Sequence, residues 1–404
     1  MVGFVRANAA NLYLMSLLKF TRRARWMGAL LLGAIMSVAP AQAQTVAAPQ
    51  INAKAWALYD VTAHTLLGGE RIAERIDPAS LTKMMTAYLV FGALKAKTIT
   101  LEQAVPVSPR AWKAIGSRMF IEPKTPVTVA ELLRGMIIQS GNDASIALAE
   151  LVAGSEDQFA ERMNAEAKRL GLTATQYKNA TGLPDAAHYT TAQDLLKLAT
   201  ALITDFPEHY ALYSQKEYTY NKISQPNRNR LLFMDPTVDG LKTGHTEAAG
   251  YCLVASSKRG VAGKERRLLS VVLGTTGDTA RAIESQKLLN HGFLNFDSVK
   301  YYDKGQTVAT LQVWKGVSKE VKAGFGSEFF LTLPKGQIER VKANLVTQKP
   351  LLAPLTEGQK IGEMQVLLDG KEIAKVPVLA LEKVEGAGLI GRALDAMRLW
   401  FEKT

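Results

Sequence analysis

The stretch Asp77-Pro78-Ala79-Ser80-Leu81-Thr82-Lys83 places a hydroxyl and an amine three residues apart, ahead of a largely apolar run at 84–94. That run predicts a buried helix, and a proline suits the first turn of such a helix. Residues three apart share a helix face, so Ser80 and Lys83 are predicted to lie side by side. A neutral amine can take the proton of a serine hydroxyl, and N–H groups at a helix start favour the developing negative charge. The stretch is therefore a candidate for a serine nucleophile with a lysine base, and the case for it rests on what the rest of the chain supplies.

Two further polar motifs follow along the chain. Ser140-Gly141-Asn142-Asp143 comes after a predicted helix at 130–139, and Lys242-Thr243-Gly244-His245-Thr246 precedes a predicted strand at 250–256. Taken alone, the first motif is typical of a helix–helix turn in which Ser140 and Asn142 act as caps. The order S-x-x-K, S-x-N, K-T-G is instead the motif set of penicillin-binding proteins and class A β-lactamases. From about residue 55 onwards, the sequence resembles the low-molecular-mass penicillin-binding proteins that act as D-alanyl-D-alanine carboxypeptidases (peptidase S11 type).

The resemblance implies a reaction and a set of catalytic roles. Ser80 would attack the carbonyl between two terminal D-alanines of a peptidoglycan pentapeptide, and water would hydrolyse the acyl-enzyme. Lys83 would be the general base, kept neutral by burial and by the positive charge of Lys242. Ser140 would relay a proton to the leaving amine, and Asn142 would orient either Lys83 or the substrate amide. β-Lactam antibiotics would acylate the same serine.

The resemblance also implies how the substrate is held. The K-T-G motif residues Lys242, Thr243, Gly244, His245 and Thr246 would bind the substrate, with its terminal carboxylate held by Lys242, Thr243 and Thr246. The backbone N–H groups of Ser80 and His245 would form an oxyanion hole. Arg228 resembles a family arginine that helps hold the carboxylate, and a guanidinium matches a carboxylate with two hydrogen bonds. A solvated surface arginine is the alternative for Arg228. Gly240 is expected to let the strand approach the ligand.

The implied fold class is α/β (α+β), with a serine β-lactamase/transpeptidase-like domain whose antiparallel sheet is flanked by helices. A small all-β domain and a C-terminal amphipathic helix follow. Residues 1–43 are predicted to be a signal peptide, 44–297 the catalytic domain, 298–382 the β domain and 383–404 the anchor helix. Asp369-Gly370 between two alternating apolar runs predicts a hairpin in the β domain. Residues 44–52 are expected to be a disordered leader.

The N-terminal segment has the pattern of an export signal. Basic residues at 22–25 precede an apolar run at 26–38, and Ala41-Gln42-Ala43 is a small-residue cleavage pattern. The apolar run is too short to cross a bilayer, which takes about 20 residues. Either Met1 or Met15 is the start of the translated chain. The pattern predicts export to the periplasm of a bacterium.

The C-terminal segment is predicted to be a helix with one apolar arc of about 140°. This arc comprises Leu389, Ile390, Ala393, Leu394, Met397, Trp400 and Phe401. Such a helix suits the interface of a membrane, which predicts peripheral attachment to the periplasmic face of the inner membrane. The alternative is a helix docked on its own domain.

Composition limits the partners. The 404 residues, 47% of them hydrophobic, suffice for about two to three domains, and the formal net charge is +12. Such a charge suits nucleic acid, an anionic lipid surface or an anionic cell-wall polymer. No zinc-ligand spacing or nucleic-acid recognition motif accompanies it, so nucleic acid is not predicted as a partner. Neither a cofactor nor a metal is predicted. Cys252, the one cysteine, is predicted to be a small core residue.

Several alternatives remain at this stage. A class A β-lactamase needs a glutamate that activates the deacylating water, and the nearest candidate, Glu217, lies in a strand-like run. A D,D-endopeptidase and a non-catalytic penicillin-binding sensor or scaffold would use the same motifs. His188 is a possible base, but a structural hydrogen bond is the preferred interpretation because Lys83 already fills that role. The preferred stem-peptide variant and the oligomeric state are not predicted.

Overall fold

The structure is a computed structural model that describes residues 46–260 and 265–401. The predicted signal peptide at 1–43 lies outside the described residues. The strands of the described residues are β1 (Ala55–Asp60), β2 (Thr65–Glu70), β3 (Ala104–Val105), β4 (Val127–Thr128), β5 (Glu217–Tyr220), β6 (Ile223–Pro226), β7 (Val238–Thr246), β8 (Gly250–Arg259), β9 (Arg266–Thr275), β10 (Phe296–Tyr302), β11 (Thr307–Gln312), β12 (Glu320–Gly324), β13 (Phe329–Pro334), β14 (Val341–Thr347), β15 (Lys360–Leu368) and β16 (Lys371–Ala380).

The helices of the same ranges vary from one turn to five. They are α1 (Lys83–Lys95), α2 (Pro109–Trp112), α3 (Val129–Ile138), α4 (Asn142–Ala153), α5 (Glu156–Arg169), α6 (Ala192–Asp205), α7 (Pro207–Tyr210), α8 (Leu231–Met234), α9 (Asp278–Asn295) and α10 (Leu389–Phe401). Short 3₁₀ turns occupy Ala79–Thr82, Ala211–Ser214 and Ile338–Arg340.

A five-stranded antiparallel sheet, in the order β2-β1-β9-β8-β7, forms the centre of the first part of the chain. Successive side chains of a strand point to opposite faces. In β1, Ala55 and Ala57 pack into the large core shared with α1, α3, α4 and α6, whereas Trp56 and Leu58 pack into a smaller core shared with α9. Both faces are therefore covered, which confirms the predicted antiparallel sheet flanked by helices. Strand β7, which carries the K-T-G motif, lies at the sheet edge.

The segment before β1 is not the free leader that the sequence analysis expected. Ile51 and Ala53 pack against the smaller core, and the backbone carbonyl of Gln50 accepts a hydrogen bond from Lys287 on α9. These contacts of Ile51 and Ala53 fasten the end of the segment to the domain.

The second part of the chain is the predicted small β structure. A five-stranded sheet in the order β11-β12-β16-β15-β14 encloses its own core. Asp369 and Gly370 join β15 to β16 with φ values of +51° and +82°, so the predicted hairpin is confirmed. A buried carboxylate connects this part to the sheet of the first part, because Asp60 accepts hydrogen bonds from Arg266 at 2.8 Å and from Thr332 at 2.9 Å.

Helix α10 turns Asp395 towards the protein and its apolar side towards solvent. Asp395 is buried and accepts hydrogen bonds from the Lys315 backbone N–H and the Lys319 ammonium group. Leu389 and Trp400, on the apolar side, are 87% and 65% exposed. This arrangement is the reverse of an ordinary surface helix, whose apolar side faces the core. Among the described residues, no helix is both long and apolar enough to cross a membrane.

Candidate active site

Ser80 lies just ahead of α1, in a turn that is held by a hydrogen bond and by close packing. The sequence analysis placed it in the first turn of an α-helix, but the structure has a 3₁₀ turn there and α1 begins at Lys83. The reason is the φ of +46° at Ala79, which an α-helix does not accommodate. Asp77 Oδ1 accepts the Ala79 N–H at 2.8 Å. Gly182 packs so closely behind the turn that a Cβ on it would lie 1.7 Å from the Ala79 carbonyl oxygen.

Lys83 is fully buried and directed at the serine. Its Nζ lies 2.9 Å from Ser80 Oγ, 2.7 Å from Asn142 Oδ1 and 2.6 Å from the carbonyl oxygen of Thr181. Burial lowers the pKa of Lys83 to about 7, because a charged amine loses its hydration inside the protein. The positive charge of Arg228 lowers this pKa further, whereas nearby carboxylates oppose the shift.

The second motif forms the opposite wall. Ser140 is buried with a φ of +68°, and its Oγ accepts a hydrogen bond from Lys242 Nζ at 2.9 Å. The Asn142 amide donates to the carbonyl oxygen of Ile115 at 2.6 Å while its oxygen accepts from Lys83, so its geometry fits orientation of Lys83. Neither Ser140 nor Asn142 caps α4, whose N-cap is Gly141. Residues 139–141 do connect α3 to α4, but Ser140 and Asn142 do not have the capping roles of the alternative interpretation.

The sequence analysis missed Asp143, which organises this wall. Its buried carboxylate accepts the backbone N–H groups of Met119, Phe120 and Ile121. It thereby holds the segment around Ser117 against the start of α4. Its position directly after S-x-N was the only sequence signal.

Lys242 and Gly244 come from edge strand β7. Burial, and then the charge of Lys83, hold the pKa of Lys242 well below its usual value. The charge of Lys83 thus acts on the pKa of Lys242, whereas the predicted effect of Lys242 is not among the causes of the Lys83 shift, in which burial comes first. Gly244 is the glycine that lets β7 lie close to the turn that carries Ser80 (the nucleophile turn). A Cβ on Gly244 would lie 3.1 Å from the Pro78 carbonyl oxygen. The expectation for Gly240 was wrong, because Gly240 faces the hydroxyl of Tyr210.

One cavity of about 690 Å³ brings the three motifs together. Its lining includes Ser80, Ser140, Arg228, Thr243, Gly244 and His245. Lys83, Asn142 and Lys242 are buried directly beyond this lining and bond to it or to each other. Thr246 is outside the lining, and its hydroxyl donates to Asp77 Oδ2 at 3.2 Å. Its geometry therefore fits a role in holding the nucleophile turn.

Arg281 on α9 is the largest omission of the sequence analysis. Its buried guanidinium group lines the cavity and donates to the carbonyl oxygen of Gly244 at 3.0 Å. Asp278, one helical turn earlier, pairs with it. No motif spacing indicated this residue, since only the packing of α9 against β8 and β9 brings it beside β7.

Two residues that the sequence analysis considered as possible general bases, His188 and Glu217, lie outside the reaction cavity. His188 Nε2 lies 2.9 Å from the Thr82 hydroxyl, and burial lowers the pKa of His188 to about 4, so it makes the structural hydrogen bond that was expected. Glu217 is exposed on β5 and does not line the cavity.

The arrangement defines a class of protein. A serine–lysine pair, a second serine–lysine pair and a K-T-G edge strand around one cavity are the site of a penicillin-recognising serine hydrolase. Residues 42–277 match the family model described as D-alanyl-D-alanine carboxypeptidase, Peptidase S11, and residues 296–386 match that of the penicillin-binding protein 5 C-terminal domain. The chain belongs to the S11 family of D-alanyl-D-alanine carboxypeptidases, as the sequence resemblance predicted.

Relatives are similar over most of the chain. The D-alanyl-D-alanine carboxypeptidase DacC of Escherichia coli (strain K12) is 45% identical over 369 residues, which cover 89% of this chain and 91% of that protein. The crystal structure of penicillin-binding protein 5 from Haemophilus influenzae has a TM-score of 0.81 and 41% identity, covering 84% of this chain and 99% of that one. Penicillin-binding protein D2 from Listeria monocytogenes, in its ampicillin-bound form, has a TM-score of 0.56 and 29% identity and covers 61% of this chain and 100% of its own.

Proposed function

We propose that this chain removes the terminal D-alanine from peptidoglycan stem pentapeptides through an acyl-enzyme on Ser80, and that β-lactams acylate the same serine. The observation that carries the proposal is the contact of 2.9 Å between Ser80 Oγ and the buried amine of Lys83. The ampicillin-bound relative supports the β-lactam part.

Lys83 acts as the general base. A neutral amine has two N–H groups, and the carbonyl oxygens of Asn142 and Thr181 accept both. Its lone pair is then left for the proton of Ser80. As that proton moves to Lys83, the bond between Ser80 Oγ and the penultimate carbonyl carbon forms and a tetrahedral intermediate results. By family resemblance, the Ser80 and His245 backbone N–H groups stabilise its oxyanion, a device worth roughly 10²–10³ in rate per donor.

The Ser140–Lys242 pair completes the first half of the reaction. The C–N bond to the last D-alanine breaks, and Ser140 relays a proton to the leaving amine. Lys242, whose pKa is held low by burial, is suited to exchange that proton through its hydrogen bond to Ser140. Water then attacks the ester carbon, its proton returns to the Ser140–Lys242 pair, and Ser80 leaves and recovers its proton from Lys83.

The terminal carboxylate selects a chain end over an internal bond. Thr243, Gly244 and His245 bind the substrate with Lys242, and Arg228 contributes charge. To this predicted set we add Arg281, whose buried guanidinium group faces the same space. We assign Thr246 a positioning role through Asp77.

Penicillin should persist on Ser80. Of the described residues that line the cavity, Asp278 is the one carboxylate, and Arg230 and Arg281 already hold it. A β-lactamase would need a free carboxylate to activate the deacylating water. We therefore favour a carboxypeptidase with a slowly hydrolysed penicilloyl adduct.

The direct test is mass spectrometry of D-alanine release from a synthetic pentapeptide, with Ser80→Ala as the control. We expect release by the native chain and none by the variant, together with a persistent penicilloyl adduct on Ser80. Acylation without D-alanine release would indicate a sensor or scaffold, and rapid penicillin turnover a β-lactamase. Cleavage of cross-linked dimers in preference to pentapeptides would indicate an endopeptidase.

We also propose that the mature chain is divided into a catalytic domain (44–297), a β domain (298–382) and an anchor (383–404), and that α10 lies in the membrane interface. The separate cores support the division. The exposed apolar side of α10, including Leu394 and Met397, supports the anchor. Deleting residues 386–404 should release the protein from membranes, and unchanged membrane pelleting would refute the anchor.

Export to the periplasm rests on the pattern at 22–43 alone. With the anchor, it predicts a peripheral protein on the periplasmic face of the inner membrane. N-terminal sequencing of the mature protein should begin near residue 44. Retention of residue 30 would exclude cleavage of this signal.

A further inference from the structure

The cavity contains an internal carboxylate where an anionic substrate would bind. Three arginines line it, Arg228, Arg230 and Arg281, together with the single aspartate Asp278. One oxygen of Asp278 is held by the Arg281 guanidinium group, and the other lies 3.2 Å from Arg230 Nε. Two of the three guanidinium groups are therefore partly neutralised by the protein itself.

Arg281 does not depend on Asp278 for its position. Its Nη1 donates to the carbonyl oxygens of Gly244 at 3.0 Å and Cys252 at 3.5 Å, and its side chain is 6% exposed. The Asp278 side chain is 40% exposed and lies in the first turn of α9. Asp278 can consequently rotate away while Arg281 stays beside β7.

The general stabilisation of helices by charged residues explains only part of the position of Asp278. An acidic residue in a first turn and an oppositely charged residue three positions on both stabilise a helix. Neither effect requires the carboxylate to line the reaction cavity or to bridge to Arg230, which belongs to a different segment. Arg230 is itself fastened there, because its Nη1 donates to the Thr279 hydroxyl at 2.6 Å.

We propose that Asp278 is a specificity-determining residue that competes with the terminal carboxylate of the substrate for Arg281 and Arg230. This inference rests on the proposed function of the same cavity. Asp278 occupies one hydrogen-bonding position on each of the two guanidinium groups, so a substrate carboxylate that pairs with both through those positions must displace it. Asp278 thereby weakens the binding of peptides that end in a free carboxylate. It also favours release of D-alanine, the product that carries this carboxylate.

The test compares two peptides and two variants. Asp278→Asn keeps the volume and one carbonyl acceptor but removes the charge. For a pentapeptide ending in D-alanyl-D-alanine, we expect its KM to fall about two- to fivefold, the range for a partly exposed ion pair, with kcat unchanged. For the C-terminal amide of the same peptide, the KM should not change. Asp303→Asn, which removes an exposed acid paired with Lys300, is the charge-matched control.

Opposite outcomes would overturn the proposal. A raised KM for the acid would mean that Asp278 holds Arg281 in place, and an unchanged KM would mean that the two carboxylates do not compete. Asp278→Ala should reproduce the lowered KM, and if both variants fail to fold, the ion pair is structural and the proposal is wrong. Failure of the proposed function is separate, since the native chain would then release neither D-alanine from the acid nor D-alaninamide from the amide.

Discussion

The pH dependence of Ser80 acylation tests the central contact of the site. Burial lowers the pKa of Lys83 from its ordinary 10.5 to about 7. This difference corresponds to roughly 5 kcal/mol against the protonated amine. At pH 7 about half of Lys83 is then free base, compared with roughly 0.03% of an ordinary lysine. The structure therefore makes the base available near neutral pH.

The assay is the second-order rate constant of acylation by a fluorescent penicillin between pH 5 and 9. Because only the free amine accepts the serine proton, the rate should rise about tenfold per pH unit at the acidic end. It should reach half its maximum near pH 7 and then level off. A flat profile, or one still rising steeply at pH 9, would refute the assignment of Lys83 as the base.

A charge variant makes this test sharper. Arg228 lowers the pKa of Lys83 by its positive charge, so Arg228→Gln should move the midpoint to higher pH. Arg230→Gln removes a charge from the same cavity that does not act on that pKa, and its midpoint should stay at the native value. A common midpoint for both variants would show that Arg228 does not control the base.

Two further changes test packing, one beside Ser80 and one at the contact between the five-stranded sheet of β1 and the second part of the chain. Gly182→Ala should destabilise the fold by at least about 2 kcal/mol and abolish acylation by penicillin, because φ is +84° and the new Cβ meets the Ala79 carbonyl oxygen. Gly171→Ala is the control, because φ is +69° there and no atom lies within 4 Å of the new Cβ, so only backbone strain should lower its stability. Equal thermal shifts and acylation rates for both variants would contradict the predicted clash at Gly182. Asp60→Asn leaves Arg266 without its buried charge partner and should cost about 3–5 kcal/mol in urea unfolding, and an unchanged midpoint would exclude this role.

One buried carboxylate explains why α10 does not turn its apolar side towards the protein. Asp395 is bonded to a backbone N–H and an ammonium group of the β structure, which offsets the loss of its hydration. The apolar residues of the helix are then directed outward. Helical periodicity predicted the arc itself but gave no indication of which side would face the protein.

Features that depend on short stretches of chain could be predicted before the fold was known. The apolar run after Lys83, the contact between Ser80 and Lys83, and the Asp369-Gly370 turn follow from helical spacing and turn chemistry, which involve residues within a few positions of one another. The order of the three motifs was likewise sufficient to indicate the family.

Which distant residues share the cavity became evident only from the folded chain. Arg281 and Asp278 reach it because α9 packs on the sheet behind β7, and Gly244, rather than Gly240, is the glycine beside the nucleophile turn. Thr246 turns to Asp77 for the same reason. These contacts join residues tens to hundreds of positions apart, and their free energy depends on burial and shape that no local pattern encodes.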